Sequence, residues 1–263
     1  MPNQAEYYLV DAKGEGGLVN ELDRVAMMDV PALLVGLGGT GIDALVHAKY
    51  VLERKLEREN GALPGRIAFL GIDTDETVVN KSRVGNARLT KGEFINIFEP
   101  KLETFMTNHE AIVQPYLKDW LAEGIPPRVT QYGASGVRQY GRFMLMVNAE
   151  KIITTVTARL SAVWNAKKAD GVAFGEQEPI HLYVFAGVSG GTGSGTFLDV
   201  PYLIKEVIRR SGKETRSYGF MFMPDVNLCK ITEPRVRDYV PVNGYAALKE
   251  LDYHLGYHMG SGG

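Results

Sequence analysis

The stretch at residues 182–196 constrains the fold more than any other part of the chain. Residues 182–188 form a short apolar run rich in β-branched and aromatic side chains, which is typical of a buried strand. Residues 189–195 supply four glycines, and residues 197–210 have the pattern of a helix with a basic end. A strand, a glycine-rich loop and a helix in this order predict a phosphate cradle, because glycine allows close backbone approach and the N–H groups attract an anion.

The alternative interpretation of residues 189–195 is a glycine-rich turn that binds no ligand. A turn needs fewer glycines than this loop contains, which favours the cradle. The loop does not match the P-loop pattern, because no lysine follows its last glycine. The candidate contacts in this loop are Gly190, Gly191, Thr192, Gly193, Ser194 and Gly195.

A second glycine loop follows an apolar strand candidate at residues 31–35 and precedes a helix predicted at residues 44–58. Gly36, Gly38 and Gly41 fit the spacing G-x-G-x-x-G between a strand and a helix. By itself this spacing fits a second phosphate cradle and a Rossmann dinucleotide site equally well, and a tight turn made only for packing is a third interpretation. The candidate contacts here are Gly36, Gly38, Gly39, Thr40 and Gly41.

Acidic side chains follow the strand predicted at residues 66–72, namely Asp73, Asp75 and Glu76. Acidic residues at the carboxyl end of a parallel strand point into the ligand crevice of an open α/β sheet. In a Rossmann enzyme Asp73 would hold a ribose hydroxyl group. The alternative is that Asp73 or Thr74 caps a short helix at residues 78–81.

Composition limits the class of protein. The 263 residues suit one α/β domain, and the net charge of −2 predicts no nucleic-acid partner. Cys229 is the single cysteine, which favours a reducing compartment. No apolar run is long enough to cross a bilayer and the first residues do not resemble a signal peptide, so we expect a cytoplasmic protein without direct membrane insertion.

Residues 190–195 read Gly-Gly-Thr-Gly-Ser-Gly and resemble the signature loop of the tubulin/FtsZ superfamily. The glycine loop at residues 36–41, a third glycine loop at residues 133–136 and the sequence Pro-Val-Asn at residues 241–243 are similar to features of the same family. The resemblance covers about residues 31–251. It implies the nucleotide-binding half of a bacterial tubulin-like protein, with a Rossmann-like parallel sheet flanked by helices.

The resemblance also implies a domain organisation. Residues 31–259 would form the nucleotide-binding domain, residues 1–30 an N-terminal extension and residues 260–263 a linker-like tail. Residues 90–127 are longer than the corresponding part of FtsZ and are interpreted as an insertion. Apolar and aromatic residues, such as Phe94, Ile97 and Phe98, recur there at helical spacing, so we expect two helices and a surface for a protein partner.

The ligands that the resemblance implies are GTP or GDP and Mg²⁺. The two glycine loops would hold the phosphates, and the third loop, made of Gly133, Ala134, Ser135 and Gly136, would sense the terminal phosphate. Asp73, Asp75 and Glu76 are candidates for contacting Mg²⁺, mostly through water. Asp225 or Glu233 would contact the ribose. Asn243 would read the guanine edge, with a helix N-cap as the alternative role.

Three departures from the family pattern affect these expectations. Asp43 stands where FtsZ has an asparagine near the base. Pro201 falls inside the helix after the signature loop, where it should kink the helix or shift its start. The family's long central helix and the acidic loop after it are not in this chain, so the catalytic residues stay unassigned.

The sequence therefore predicts the GTP-binding domain of a polymerising GTPase, which self-associates into a filament and hydrolyses GTP to GDP. One alternative is an NAD(P)-binding oxidoreductase built on the first glycine loop. Another is a nucleotide-gated assembly module that does not hydrolyse its ligand. Each alternative is distinguished by which nucleotide the chain binds and whether it turns the nucleotide over.

Overall fold

The computed structural model describes residues 8–10, 16–18, 29–56, 63–108, 133–228 and 234–260. Most of the predicted N-terminal extension and residues 109–127 of the predicted insertion therefore lie outside the described residues. No helix in the described ranges is long and apolar enough to cross a membrane.

The strands are β1 (Tyr8–Val10), β2 (Gly16–Leu18), β3 (Ala32–Leu37), β4 (Ile67–Asp73), β5 (Phe94–Asn96), β6 (Ile180–Gly187) and β7 (Thr215–Phe222). Strands β1 and β2 pair antiparallel. The other five form one parallel sheet in the order β5-β4-β3-β6-β7. The predicted parallel α/β sheet is thus confirmed. Because the strands are parallel, the loops after β3, β4 and β6 all leave from the same edge.

The helices are α1 (Gly38–Lys55), α2 (Val78–Lys81), α3 (Leu102–Asn108), α4 (Arg138–Val147), α5 (Ala149–Trp164), α6 (Thr192–Thr196), α7 (Asp199–Arg210), α8 (Pro224–Leu228) and α9 (Pro234–Gly260). A short 3₁₀ turn, Lys91–Glu93, precedes β5.

The core lies on both faces of the sheet. Successive side chains of β3 point to opposite faces, and all six of its residues are buried. Leu34 packs in one cluster with Ile42 and Leu45 of α1. Leu33 packs in the other cluster, which includes side chains of α4, α5 and α7. Helices on both faces explain why the central strand is apolar throughout.

The structure corrects the first part of the stretch from residue 90 onward, where two helices are predicted, although Leu102–Asn108 is helical. Thr90 and Glu93 form a capping box around the 3₁₀ turn, and Phe94–Asn96 then pairs with β4 as an edge strand. The spacing of Phe94 and Ile97 is therefore not that of a helix. Pairing with the exposed edge of β4 outweighs the local pattern, since strand formation depends strongly on tertiary context.

Three helices begin elsewhere than predicted. Helix α1 begins at Gly38, inside the glycine loop, rather than at residue 44. The helix predicted at residues 142–166 is two helices that meet at Asn148. The helix predicted at residues 197–210 begins at Asp199, after the separate short helix α6 inside the signature loop, and Pro201 lies in the first turn of α7. The predicted shift caused by Pro201 is confirmed, because proline fits a first turn, where its missing N–H needs no partner.

Strand β6 is less buried than its apolar run predicts. Alternate residues of β6 are buried, but Tyr183 and Phe185 are only half-buried. They stack on Tyr218 and Phe220 of β7, with ring centroids 5.0 Å and 4.9 Å apart. Tyr218 and Phe220 are 41% and 45% exposed. One face of the β6–β7 pair therefore presents stacked aromatic rings to the surface.

Candidate functional site

A cavity of about 420 Å³ lies at the carboxyl edge of the sheet, where the loops after β3, β4 and β6 meet. A cavity of this size is within the range that binds small molecules and cofactors. Its lining residues are Leu37, Gly38, Gly39, Thr40, Asp73, Thr74, Asp75, Val78, Ala134, Ser135, Gly187, Gly190, Gly191, Thr192 and Gly193. The structure thus brings together the two glycine loops, the acidic loop and part of the third glycine loop.

The first glycine loop supplies the N-terminus of α1. Gly38, Gly39 and Thr40 form the first turn and line the cavity. Because this turn lines the cavity, the positive end of the 18-residue helix faces it, and the first turn carries no acidic side chain that would offset this charge. Gly38 has a φ of +69°, which favours glycine, and a Cβ atom there would lie 2.7 Å from the backbone nitrogen of Gly193.

Gly36 and Gly41 have a packing role. A Cβ atom on Gly36 would lie 2.7 Å from the carbonyl oxygen of Gly41, and one on Gly41 would overlap the carbonyl oxygen of Phe185. Neither residue is among the cavity lining. In this loop the G-x-G-x-x-G spacing therefore serves close helix–sheet packing at two glycines and the cavity wall at Gly38.

The signature loop also contains some residues that line the cavity and others that do not. Gly190, Gly191, Thr192 and Gly193 line the cavity, and no heavy atom lies within 4 Å of where a Cβ on Gly190 would stand. Ser194 and Gly195 are not among the residues that line the cavity. The Ser194 hydroxyl accepts a hydrogen bond from Arg138 Nε at 3.2 Å.

Asp73 is the buried acid of the site, with 4% of its surface exposed. Its Oδ1 accepts hydrogen bonds from the backbone N–H groups of Thr74 at 2.7 Å and Asp75 at 3.4 Å. Burial raises the pKa of Asp73 to about 6, although hydrogen bonds from Thr192 and the backbone oppose this rise. A raised pKa in a cleft is typical of functional carboxylates.

The other two acids of this loop are less enclosed. Asp75 lines the cavity, and its Oδ1 accepts the N–H of Thr77 at 2.9 Å in the turn before α2. The N-cap of α2 is Thr77, and no side-chain hydrogen bond caps this helix, so the cap predicted from Asp73 or Thr74 is wrong. Glu76 is exposed and is not among the lining residues. In the described ranges, no three His, Cys, Asp or Glu side chains are grouped as a metal site.

The third glycine loop closes one side of the cavity. Gly133, Ser135 and Gly136 have φ values of +73°, +46° and +81°. Ser135 is thus a non-glycine residue in the left-handed region, which costs conformational energy. Ala134 and Ser135 line the cavity, and the Ala134 N–H donates to Thr74 Oγ1 at 3.0 Å.

Two residues predicted to contact the base or the ribose, Asn243 and Asp225, are not among the residues that line the cavity. Asn243 is 4% exposed and its amide nitrogen donates to the carbonyl oxygens of Gly136 at 2.6 Å and Ser189 at 3.0 Å. It lies within α9 and not at its start, so the alternative N-cap role is wrong. Asp225 is exposed in α8. Glu233 lies outside the described residues.

Asp43, at the position where FtsZ has an asparagine, also bonds to another side chain. Asp43 Oδ1 accepts a hydrogen bond from the Ser82 hydroxyl at 2.5 Å. Asp43 is not among the residues that line the cavity.

Sequence reasoning missed Thr74, whose hydroxyl lies 2.7 Å from that of Thr192. It also left Arg138 and Glu250 without a role at the site. Thr74 had one visible signal, its position between two acids at a strand end, where hydroxyl groups serve as ligands or caps.

Comparison with known proteins identifies the family to which the chain belongs. The family model described as "Tubulin like" matches residues 33–261, and no curated protein matches the chain. Similar solved structures include CetZ from Methanosaeta thermophila, with 15% identity, 85% of this chain and 43% of that chain covered, and a TM-score of 0.45.

Two further similar structures are an FtsZ dimer from M. jannaschii and a TubZ protofilament in its GTPγS form from Bacillus thuringiensis serovar israelensis. The FtsZ chain is 16% identical, with 89% of this chain and 45% of that chain covered and a TM-score of 0.40. The TubZ chain is 14% identical, with 86% and 42% covered and a TM-score of 0.42. The chain thus spans less than half the length of these structures. Since the family model covers most of its residues, the chain belongs to the tubulin-like family of the tubulin/FtsZ superfamily.

Proposed function

We propose that the chain is the GTP-binding part of a polymerising, cytoskeletal GTPase that binds GTP and GDP with Mg²⁺ in the cavity at the carboxyl edge of the sheet. The observation that carries this proposal is the convergence of Gly38–Thr40, Ala134–Ser135 and Gly190–Gly193 on one cavity. Backbone of this kind recognises phosphate groups through N–H donors, and α1 adds the positive end of its dipole.

The charge of the cavity supports a metal-bound nucleotide. Among the described residues that line it, Asp73 and Asp75 are the charged side chains, and both are acidic. A phosphate group beside two carboxylates requires a cation to offset the repulsion. Mg²⁺ fits this donor set, because it binds through one or two carboxylates together with phosphate oxygens and water.

In this proposal Asp73 and Asp75 hold the metal, directly or through water, and Glu76 acts at the rim. When bound, Mg²⁺ would neutralise charge on the phosphates. The space beside Gly190 accommodates the phosphates, and the loop with Ser135 covers the terminal phosphate. We further propose that Asp225 or Glu233 contacts the ribose and that Asn243 contacts the base.

Hydrolysis and filament formation are also proposed. In this proposal the hydrolytic site is completed where the nucleotide of one subunit lies against the next subunit of the filament. We therefore expect isolated chains to bind GTP with slow turnover. The protein is proposed to act in the cytoplasm of a bacterium and to offer a partner surface at residues 90–127.

The test is isothermal titration of the purified chain with GTP, ATP and NAD, each with Mg²⁺. We expect micromolar or tighter binding of GTP and weaker binding of the other two ligands. Gly190→Val places a side chain in the open space of the cavity and should weaken GTP binding at least tenfold. Gly219→Val is the matched control, because Gly219 also has no atom within 4 Å of a Cβ and lies on β7, outside the cavity.

Binding of NAD without GTP would move the function to a dinucleotide site and overturn the proposal. If Gly190→Val and Gly219→Val lose GTP binding equally, the cavity is not the GTP-binding site. Light scattering of the chain with GTP tests assembly separately.

A further inference from the structure

The guanidinium group of Arg138 joins the signature loop to the last helix. Its Nε donates to Ser194 Oγ at 3.2 Å and its Nη2 to the Ser194 carbonyl oxygen at 3.0 Å. The same group donates to both carboxylate oxygens of Glu250, at 2.7 Å and 2.6 Å. One planar side chain therefore holds α6 and α9 in a fixed relation, which a lysine could not do in the same geometry.

Helix α9 has a second attachment two turns earlier. Asn243 and Glu250 are seven residues apart, so they lie on the same face of the helix. The amide of Asn243 bonds to Gly136 in the third glycine loop and to Ser189 before the signature loop. Both attachments of α9 thus end on loops that build the cavity, although neither Asn243 nor Glu250 lines it.

The contact between these loops leaves no space for independent movement. A Cβ on Gly195 would overlap the carbonyl oxygen of Arg138, and one on Gly191 would lie 2.8 Å from Ala134 Cβ. A displacement of residues 190–195 must therefore carry the start of α4 and Arg138 with it, because close-packed groups move together.

We propose that Arg138 and Glu250 form a positioning relay that couples nucleotide binding in the cavity to the placement and order of α9. This inference rests on the proposed function, since it requires a ligand in the cavity. Coupling between two sites is reciprocal, so if nucleotide binding orders α9, weakening the attachment of α9 must lower the affinity for the nucleotide.

If the ion pair of Arg138 and Glu250 only stabilises packing and does not couple nucleotide binding to α9, a different result is expected. Glu250 is 40% exposed, and ion pairs with an exposed partner contribute little to stability. Glu250→Gln should therefore leave the fold stable in both cases. A packing role would leave GTP affinity unchanged, whereas the relay requires it to fall.

The experiment measures GTP dissociation constants by calorimetry, and amide hydrogen exchange of residues 244–256 with and without GTP and Mg²⁺. Unmodified chain should gain protection in α9 when GTP binds. Glu250→Gln should weaken GTP binding roughly tenfold and lose that gain. Arg138→Lys should do the same, and the double variant should bind no more weakly than either single variant, because both changes break one relay.

Asp199→Asn is the matched control. Asp199 pairs with Arg142 of α4 at 2.9 Å and is 37% exposed, so the same chemical change breaks a similar ion pair between α4 and α7. We expect unchanged GTP affinity and an unchanged gain of protection in α9.

The outcomes separate the two proposals. If unmodified chain binds no GTP, the proposed function is wrong and the relay falls with it. If unmodified chain binds GTP and Glu250→Gln binds it equally well with the same gain of protection, the relay alone is overturned. Equal weakening in Asp199→Asn and Glu250→Gln would also overturn it.

Discussion

The hydroxyl groups of Thr74 and Thr192 lie 2.7 Å apart, although 118 positions separate them in the chain. Thr74 follows β4 and Thr192 follows β6, so this contact joins the acidic loop to the signature loop. Thr74 Oγ1 also accepts the N–H of Ala134 from the third glycine loop. Three loops of the cavity therefore meet at one buried hydroxyl group.

Replacing this hydroxyl group should destabilise the fold. Thr74→Val keeps the shape of the side chain but leaves the buried Ala134 N–H without its acceptor, which costs about 1–3 kcal/mol. Urea denaturation measures the free energy of unfolding. Thr155→Val is the control, since that exposed hydroxyl bonds within its own helix to Lys151, and equal losses in the two variants would contradict the prediction.

The stability of the ligand-free chain should depend on the ionisation of Asp73. Its pKa of about 6 in the folded chain lies above the ordinary 3.8, mainly because the group is buried. The folded chain then keeps a proton that the unfolded chain releases, so this stabilisation is present below about pH 4 and is lost as the pH rises through about 6. The loss amounts to at most about 3 kcal/mol.

Urea denaturation between pH 4 and pH 7.5, without Mg²⁺ or nucleotide, tests the role of Asp73. The difference in unfolding free energy between Asp73→Asn and the unmodified chain should grow in favour of the variant as the pH rises. A difference that is independent of pH would show that Asp73 has an ordinary pKa.

Two glycines of the signature loop should differ in how much stability they lose on substitution by alanine. A methyl group on Gly195 would overlap the carbonyl oxygen of Arg138, so the backbone must shift and Gly195→Ala should cost roughly 3 kcal/mol of unfolding free energy. Gly190→Ala should change stability little, because its methyl group enters open space. Thermal melting compares the two, and equal melting temperatures would contradict the described packing.

The buried ion pair of Lys49 and Glu93 should be sensitive to loss of one partner. Lys49 Nζ lies 2.7 Å from Glu93 Oε2, and the two side chains are 9% and 13% exposed. Glu93→Gln leaves a buried ammonium group without its counter-ion and should cost about 3 kcal/mol. Adding Lys49→Met should recover part of this loss in denaturation experiments, whereas additive losses would contradict a coupled pair.

The fold follows from the sequence where the local pattern and the tertiary environment agree. The apolar run before Gly36 is a central strand because helices cover both of its faces, which hydrophobicity alone predicts. Phe94 is different, since its place in an edge strand depends on pairing with Gly71 of a distant strand. The half-exposed side of β6 likewise depends on what covers it, which an apolar run does not reveal.

The candidate site was predictable where chemistry depends on the backbone. Glycine density located Gly38 and Gly190 at the cavity because phosphate cradles require close approach of the main chain. It could not separate these residues from Gly41 and Gly195, which are glycines because another chain segment touches them. The contacts of Thr74 and Arg138 join residues that are far apart in sequence, so local spacing does not predict them.

The close contact between the third glycine loop and the signature loop has a consequence for how this pocket can evolve. A side chain at Gly191 would collide with Ala134 of the third glycine loop, and one at Gly141 or Gly195 would collide across the contact between α4 and the signature loop. Substitutions at these positions are therefore unfavourable unless both contacting segments change together. Variation is open at Gly39 and Gly190, where a Cβ has room. A library that aims to alter ligand preference while keeping the scaffold should therefore randomise these two positions first.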